Sequence, residues 1–108
     1  MIQVGIIGGA GYTAGELIRL LIHHPQVNID FVYSTSNAGN SVHKIHQDLN
    51  GETDLLFTNT LNTNVDVLFL CLGHGHSKSF LSENKIAAHT KIIDLINYFR
   101  LNKDAIIE

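Results

Sequence analysis

Gly8, Gly11 and Ala14 stand three residues apart in GGAGYTAGEL, with Gly9 and Gly15 beside them, directly after the short apolar run IQVGII. Glycine at the first position permits a tight turn. Glycine at the second lets backbone approach a diphosphate, and a small residue at the third lets a following helix pack closely on the preceding strand. A helix that begins there aims free N–H groups and the positive end of its dipole at the bound anion. Tyr12 and Thr13 belong to the same segment, and Thr13 is predicted to cap the helix, with Glu16 completing a capping box. The competing reading is that the glycines only make a tight strand-to-helix turn. Their place after a strand makes the GxxGxxA spacing a dinucleotide signature.

Two further groups could touch such a ligand. Proteins that take NAD carry an acidic residue for the adenosine ribose near the end of the second strand. Here that place holds Ser34-Thr35-Ser36-Asn37, and the nearest acid, Asp30, lies mid-strand. A carboxylate would repel a 2′-phosphate whereas hydroxyls and an amide can hold one, so Ser34, Ser36 and Asn37 favour NADP over NAD. The third group is GHGHS, Gly73 to Ser77, after the most apolar run of the chain, VDVLFLCL. Gly73 gives backbone access and His74 lies in the turn, while Ser77 is predicted to cap the next helix. An ordinary strand-to-helix turn reads equally well there from these residues alone.

The seven histidines, including His43-x-x-His46 and His74-x-His76, invite a metal reading. Zinc sites are usually completed by cysteines or carboxylates at matching spacing. The single cysteine, Cys71, lies inside an apolar strand, so no metal is expected and the histidines read as solvated or loop residues. Cys71 itself reads as a small buried hydrophobe and not as an activated thiolate.

These loops need elements to hold them. Ile2 to Ile7 reads as a buried strand. Ala14 to His24 reads as a helix with Leu17, Leu20 and Leu21 inward, Ile18 and Ile22 widening that face, and Pro25 stopping it. Asn28 to Ser34 is a second strand, Thr35 to Asn40 a loop, Ser41 to Asn50 partly helical and Leu55 to Thr58 a short strand. Val65 to Leu72 should be a central strand covered on both faces. Lys78 to Ala88 reads as a helix with Phe80, Leu81 and Ile86 inward, Lys91 to Leu95 as a fifth strand, and the rest to Glu108 as irregular. Strands alternating with helices imply right-handed crossovers and a Rossmann-like, doubly wound parallel sheet of the α/β class. The chain stops soon after the fifth strand, where a dinucleotide fold would continue, and so reads as a fragment: residues 1–108 of an NADP-binding domain.

With 108 residues, 44% apolar and 16% charged, the chain has the composition of a globular domain. A formal charge of −3 and no basic run argue against nucleic acid as a partner. No stretch has the apolar length of a spanning helix and no basic leader precedes the first strand, so no membrane partner and a cytoplasmic location are expected.

GIIGGAGYTAGELIRLLIHHP resembles the opening of the N-acetyl-γ-glutamyl-phosphate reductase family, and through it the aspartate-semialdehyde dehydrogenase superfamily. SNAG at Ser36 to Gly39, the HGxS segment His74 to Ser77, and IIDL followed by FRL at Ile92 to Leu101 extend the likeness over nearly the whole chain. The resemblance implies NADPH-dependent reduction of an N-acyl-γ-glutamyl phosphate to its semialdehyde with phosphate release, in arginine biosynthesis, by a homo-oligomer. In that family a cysteine thiolate attacks the acyl phosphate and a histidine handles protons. Both lie in the later, substrate-binding part of the chain, and nothing here matches them: Cys71 lacks the family's cysteine context, and His74 belongs to the cofactor-side HGxS motif. No catalytic residue is therefore assigned, and the fragment alone is expected to be inactive. By similarity to the superfamily, Arg100 grips the substrate's phosphate, with a plain surface arginine as the alternative. Ile96 and Tyr98 depart from the family's DLSxDFR pattern. An aspartate-semialdehyde dehydrogenase and a non-catalytic dinucleotide-binding module remain the competing functions.

Overall fold

The run Ile2–Ile7, β-branched and apolar but for Gln3 and Gly5, forms strand β1 at the middle of a parallel sheet. The computed structural model describes residues 1–73 and 75–95. Along these run β1, α1 (Tyr12–Leu21), β2 (Val27–Tyr33), α2 (Val42–Ile45), a 3-10 turn (Gln47–Leu49), β3 (Phe57–Thr58), β4 (Val67–Leu70), α3 (His76–Glu83) and β5 (Lys91–Asp94). The strand order is β3-β2-β1-β4-β5, and every pairing is parallel. The chain thus builds outward from β1 on one side, then returns to build on the other. This is the doubly wound parallel architecture expected from the alternation of elements.

The side-chain alternation of the strands sorts two cores onto the two faces. Val4, Ile6, Val32 and Phe57 pack with Ala14 and Ile18 of α1, Val42 of α2 and Leu49 of the 3-10 turn. Ile7, Phe31, Leu68 and Leu70 point to the other face, where Phe80 of α3 and the nearby Ile86 cover them. Covering on β4 is unequal: Leu68 and Leu70 are buried, while Val67 and Phe69 on the α1 face are only partly so. β1, not β4, holds the centre of the sheet.

Several boundaries differ from the sequence reading. Helix α1 begins two residues before Ala14, because Gly11 and not Thr13 stands at its N-cap. It ends at Leu21, short of His24, where the His24 N–H closes a turn on the Leu21 carbonyl. Ala14 and Ile18, four residues apart, form the centre of its inward stripe. Leu20 lies on the far side of the helix from Ile18 and is 68% exposed. Helix α3 covers His76–Glu83 in place of Lys78 to Ala88, which leaves Ile86 beyond its end and Leu81 at the surface. β2 is shifted one residue toward the N-terminus, and β3, β4 and β5 are shorter than expected. The partly helical Ser41 to Asn50 resolves into α2 and the 3-10 turn. The irregular stretch expected up to Glu108 lies outside the described residues.

Helix α1 is tied to the 3-10 segment at the surface, where Arg19 pairs with Glu16 and reaches Asp48 at 3.7 Å. Beneath it, Gly15 faces the ring of His46: a Cβ added there would lie 2.5 Å from Nδ1. Helix propensity alone makes Gly15→Ala stabilising by about 1 kcal/mol. The collision reverses the sign, and we expect a loss of about 1–3 kcal/mol, typical of overpacking. Urea unfolding of the two forms decides which effect wins, since a raised midpoint for Gly15→Ala means that the ring moves aside freely.

Candidate cofactor site at the carboxyl edge

The three loops singled out in the sequence all leave the carboxyl ends of neighbouring strands, β2, β1 and β4. Between β1 and β4 the direction of winding reverses, so the connections that follow them diverge and open a crevice, the general ligand position of open α/β sheets.

Gly8 leaves β1 with φ +80°, and a Cβ there would lie 2.6 Å from the Cys71 carbonyl oxygen. The N–H groups of Gly8 and Gly9 both donate to the Tyr33 carbonyl, at 3.1 and 2.9 Å, which locks the loop to the end of β2. Packing also demands Gly9, whose Cβ would lie 2.2 Å from Val32 Cγ1. Ala14 is fully buried against the sheet, as its small size predicts. Gly11 differs from all of these. Its backbone is extended, and an added Cβ would meet only the Gly8 carbonyl oxygen, at 3.8 Å. Among the described residues, its chain neighbours apart, no other atom comes within 4 Å of that position.

Gly11 also begins α1 without a side-chain cap, so the expected capping box is not formed. Thr13 sits inside the first turn, and Glu16 turns to Arg19. The N–H groups of Tyr12, Thr13 and Ala14, which have no partner within a helix, therefore face the loop mouth uncapped. No acidic residue lies in that first turn. Donors, helix dipole and absence of negative charge suit a diphosphate. Tyr12, 84% exposed, stands at the rim.

At the end of β2, Ser34 is buried, and its hydroxyl accepts a hydrogen bond from Asn37 Nδ2 at 3.3 Å. Ser36 is exposed and Asn37 partly so. Asp30, the nearest acid on β2, accepts a hydrogen bond from Asn62 Nδ2 at 2.9 Å. The strand end thus presents a hydroxyl and an amide, with no carboxylate among residues 34–37.

After β4, Gly73 is exposed, and a Cβ there would sit 3.3 Å from the His76 ring. Gly75, in the left-handed conformation at φ 85°, is the N-cap of α3. Ser77 is therefore not a cap: it lies within the helix and is buried. Gly75 takes its role because the chain must reverse sharply there, a conformation that serine disfavours. His74 and Arg100 lie outside the described residues.

Among the described residues, no three His, Cys, Asp or Glu side chains cluster as metal ligands, and no helix is long and apolar enough to cross a membrane. Sequence reasoning missed His46. Taken with the solvated histidines, it is in fact buried, with Nε2 2.6 Å from the Gly9 carbonyl oxygen. Its partner lies 37 positions away, and no local pattern signals such a contact.

The parallel sheet and uncapped glycine loop define a nucleotide-binding α/β domain. The chain belongs to the family described as semialdehyde dehydrogenase, NAD binding domain, whose model matches residues 3–107. It is 67% identical over its whole length to N-acetyl-γ-glutamyl-phosphate reductase of Flavobacterium johnsoniae, covering 33% of that protein. It is 64% identical over 101 residues, 94% of the chain, to the protein of the same name from Christiangramia forsetii, covering 32% of it. The chain thus spans about a third of the length of these relatives. Aspartate semialdehyde dehydrogenase from Candida albicans, solved with NADP, shares the fold, with a TM-score of 0.58 and 19% identity over 87% of this chain and 29% of that one.

Burial, reinforced by the negative charge of Asp94, pushes the Cys71 thiol from its ordinary value near 9.0 up to about 11. The native thiol stays protonated where the unfolded one ionises, so its contribution to stability is full below about pH 9 and is lost as pH rises toward 11. Replacing Cys71 with Ala should flatten the fall of the urea midpoint between those pH values. Alkylation by iodoacetamide at pH 8 should be slow until urea is added, and rapid labelling of the native chain would contradict the burial.

Proposed function

We propose that residues 1–108 form the NADP-binding domain of a longer NADPH-dependent reductase that converts an N-acyl-γ-glutamyl phosphate to its semialdehyde with phosphate release. The observation that carries the cofactor reading is Gly11. The other glycines of the loop's front half are demanded by protein neighbours, and this one is not. A glycine kept where protein leaves room suits a ligand that comes closer than a side chain would allow.

NADPH bound at this edge supplies a hydride to the acyl carbon. The residues of this chain bind and orient it. Gly8 sets the turn, Gly11 admits the diphosphate, and the N–H groups of Tyr12, Thr13 and Ala14 hold it. Ser36 and Asn37, with Ser34 fixing the amide from beneath, face the 2′-phosphate. Gly73 lies on the opposite side of this edge, and by the family resemblance His74 and Ser77 would contact the cofactor and Arg100 would grip the substrate's phosphate. The attacking cysteine and the proton-handling histidine belong to the remainder of the longer protein. Identities of 64–67% to reductases named for N-acetyl-γ-glutamyl phosphate support that substrate over aspartyl phosphate. We further propose that the longer enzyme is cytoplasmic and homo-oligomeric, and the charge of −3 without a basic run supports a small-molecule partner in place of nucleic acid.

In the full natural polypeptide, NADPH should quench or shift its nicotinamide fluorescence on binding and bind more tightly than NADH. Gly11→Val should weaken NADPH by at least about tenfold while moving stability by no more than about 1 kcal/mol. Unchanged affinity there would return the loop to a purely structural role. Asn37→Asp places a carboxylate at the 2′-phosphate position, and it should lower the NADPH-to-NADH preference by about tenfold or more. An unaltered preference would remove residues 34–37 from the 2′-phosphate site.

A further inference from the structure

His46 is the one buried histidine among the described residues. It follows α2, and its ring reaches the glycine loop, where Nε2 lies 2.6 Å from the Gly9 carbonyl oxygen. A carbonyl oxygen can only accept, so Nε2 carries the proton. The ring is confined on its other sides. Gly15 leaves room for no more than a hydrogen beside Nδ1, and the ring of Phe57 lies at 6.2 Å, tilted by 58°.

This contact fixes more than one carbonyl. The peptides of the described chain are trans, and in a trans peptide the carbonyl of one residue and the N–H of the next point in opposite directions. With the Gly9 carbonyl drawn inward to His46, the Ala10 N–H is turned outward, away from the buried ring. The preceding peptide is fixed as well, since the Gly9 N–H is held by Tyr33. The Ala10 N–H has no partner within the described residues. It sits next to Gly11, above which space is open. Were the Gly9–Ala10 peptide flipped, the carbonyl would face the mouth and repel an anion.

We infer that His46 is a positioning residue for the cofactor's diphosphate: its hydrogen bond to Gly9 selects the peptide orientation that presents the Ala10 N–H to a phosphate oxygen. The inference rests on the NADPH reading above and adds a residue that never touches the ligand. The Gly15–His46 fit serves the same end, because it prevents the ring from retreating from Gly9.

The test uses the full natural polypeptide and two substitutions. His46→Phe keeps a flat ring beside Phe57 and Gly15 but has no donor, whereas His46→Gln keeps an N–H of comparable reach. The probes are NADPH and 2′-AMP, which has the adenosine and 2′-phosphate without a diphosphate. We expect His46→Phe to weaken NADPH by about tenfold or more while leaving 2′-AMP within about twofold, and His46→Gln to recover most of the loss. In turnover, the KM for NADPH should rise with the KM for the acyl phosphate unmoved. NADPH bound by His46→Phe as by wild type overturns the inference, as does a loss of 2′-AMP in the same proportion. Should His46→Phe fail to fold, His46→Asn, whose amide stops short of the carbonyl, takes its place with the same expectations. A wild-type protein that ignores NADPH overturns the cofactor reading itself, a result distinct from an unchanged variant.

Discussion

The carbonyl of Tyr33 receives two N–H groups, those of Gly8 and Gly9, and the rest of the binding edge hangs on this junction. It forces β1 to stop where β2 stops, and it turns the chain through a left-handed Gly8. The following residue is pressed so close to Val32 that no side chain fits. Helix α1 then starts at Tyr12 with Gly11 as its N-cap. The glycine loop and the segment that follows β2 are neighbours because one backbone oxygen holds both.

The loop's glycines divide by what they answer to. Gly8 and Gly9 meet the requirements of the sheet, and Gly15 meets those of His46. Gly11 alone among them meets no close protein neighbour within the described residues. Spacing along the chain cannot make this division, since the four residues are identical in sequence and differ only in what lies above them. Membership in a semialdehyde dehydrogenase NAD-binding family agrees with the division but does not explain it. The explanation is steric.

Much of the architecture was legible in the sequence. The β-branched run before Gly8 defined β1 to the residue, and the apolar run before Gly73 located β4. Where reading failed, a local rule met a tertiary one. Thr13 is a good capping residue, but the chain leaves the Tyr33 junction in a direction that makes Gly11 the cap. Pro25 sets the last place where α1 could end, not where it does end. Ser77 looked like a cap until the left-handed Gly75 took the position. His46 was illegible for a deeper reason: its partner is a main-chain oxygen, and every residue type has one.

One edge of the sheet has a further consequence. Strand β3 is two residues long, paired to β2 through Phe57 and Thr58 only. A longer edge strand would offer a ladder of unpaired amides and carbonyls on which another chain could build. This one offers too few rungs to hold an incoming strand, and the bridge between Ser41 and Leu56 occupies backbone immediately before it. That margin of the domain is thereby a poor template for amyloid-like growth, a protection obtained by brevity where other folds use charge or proline.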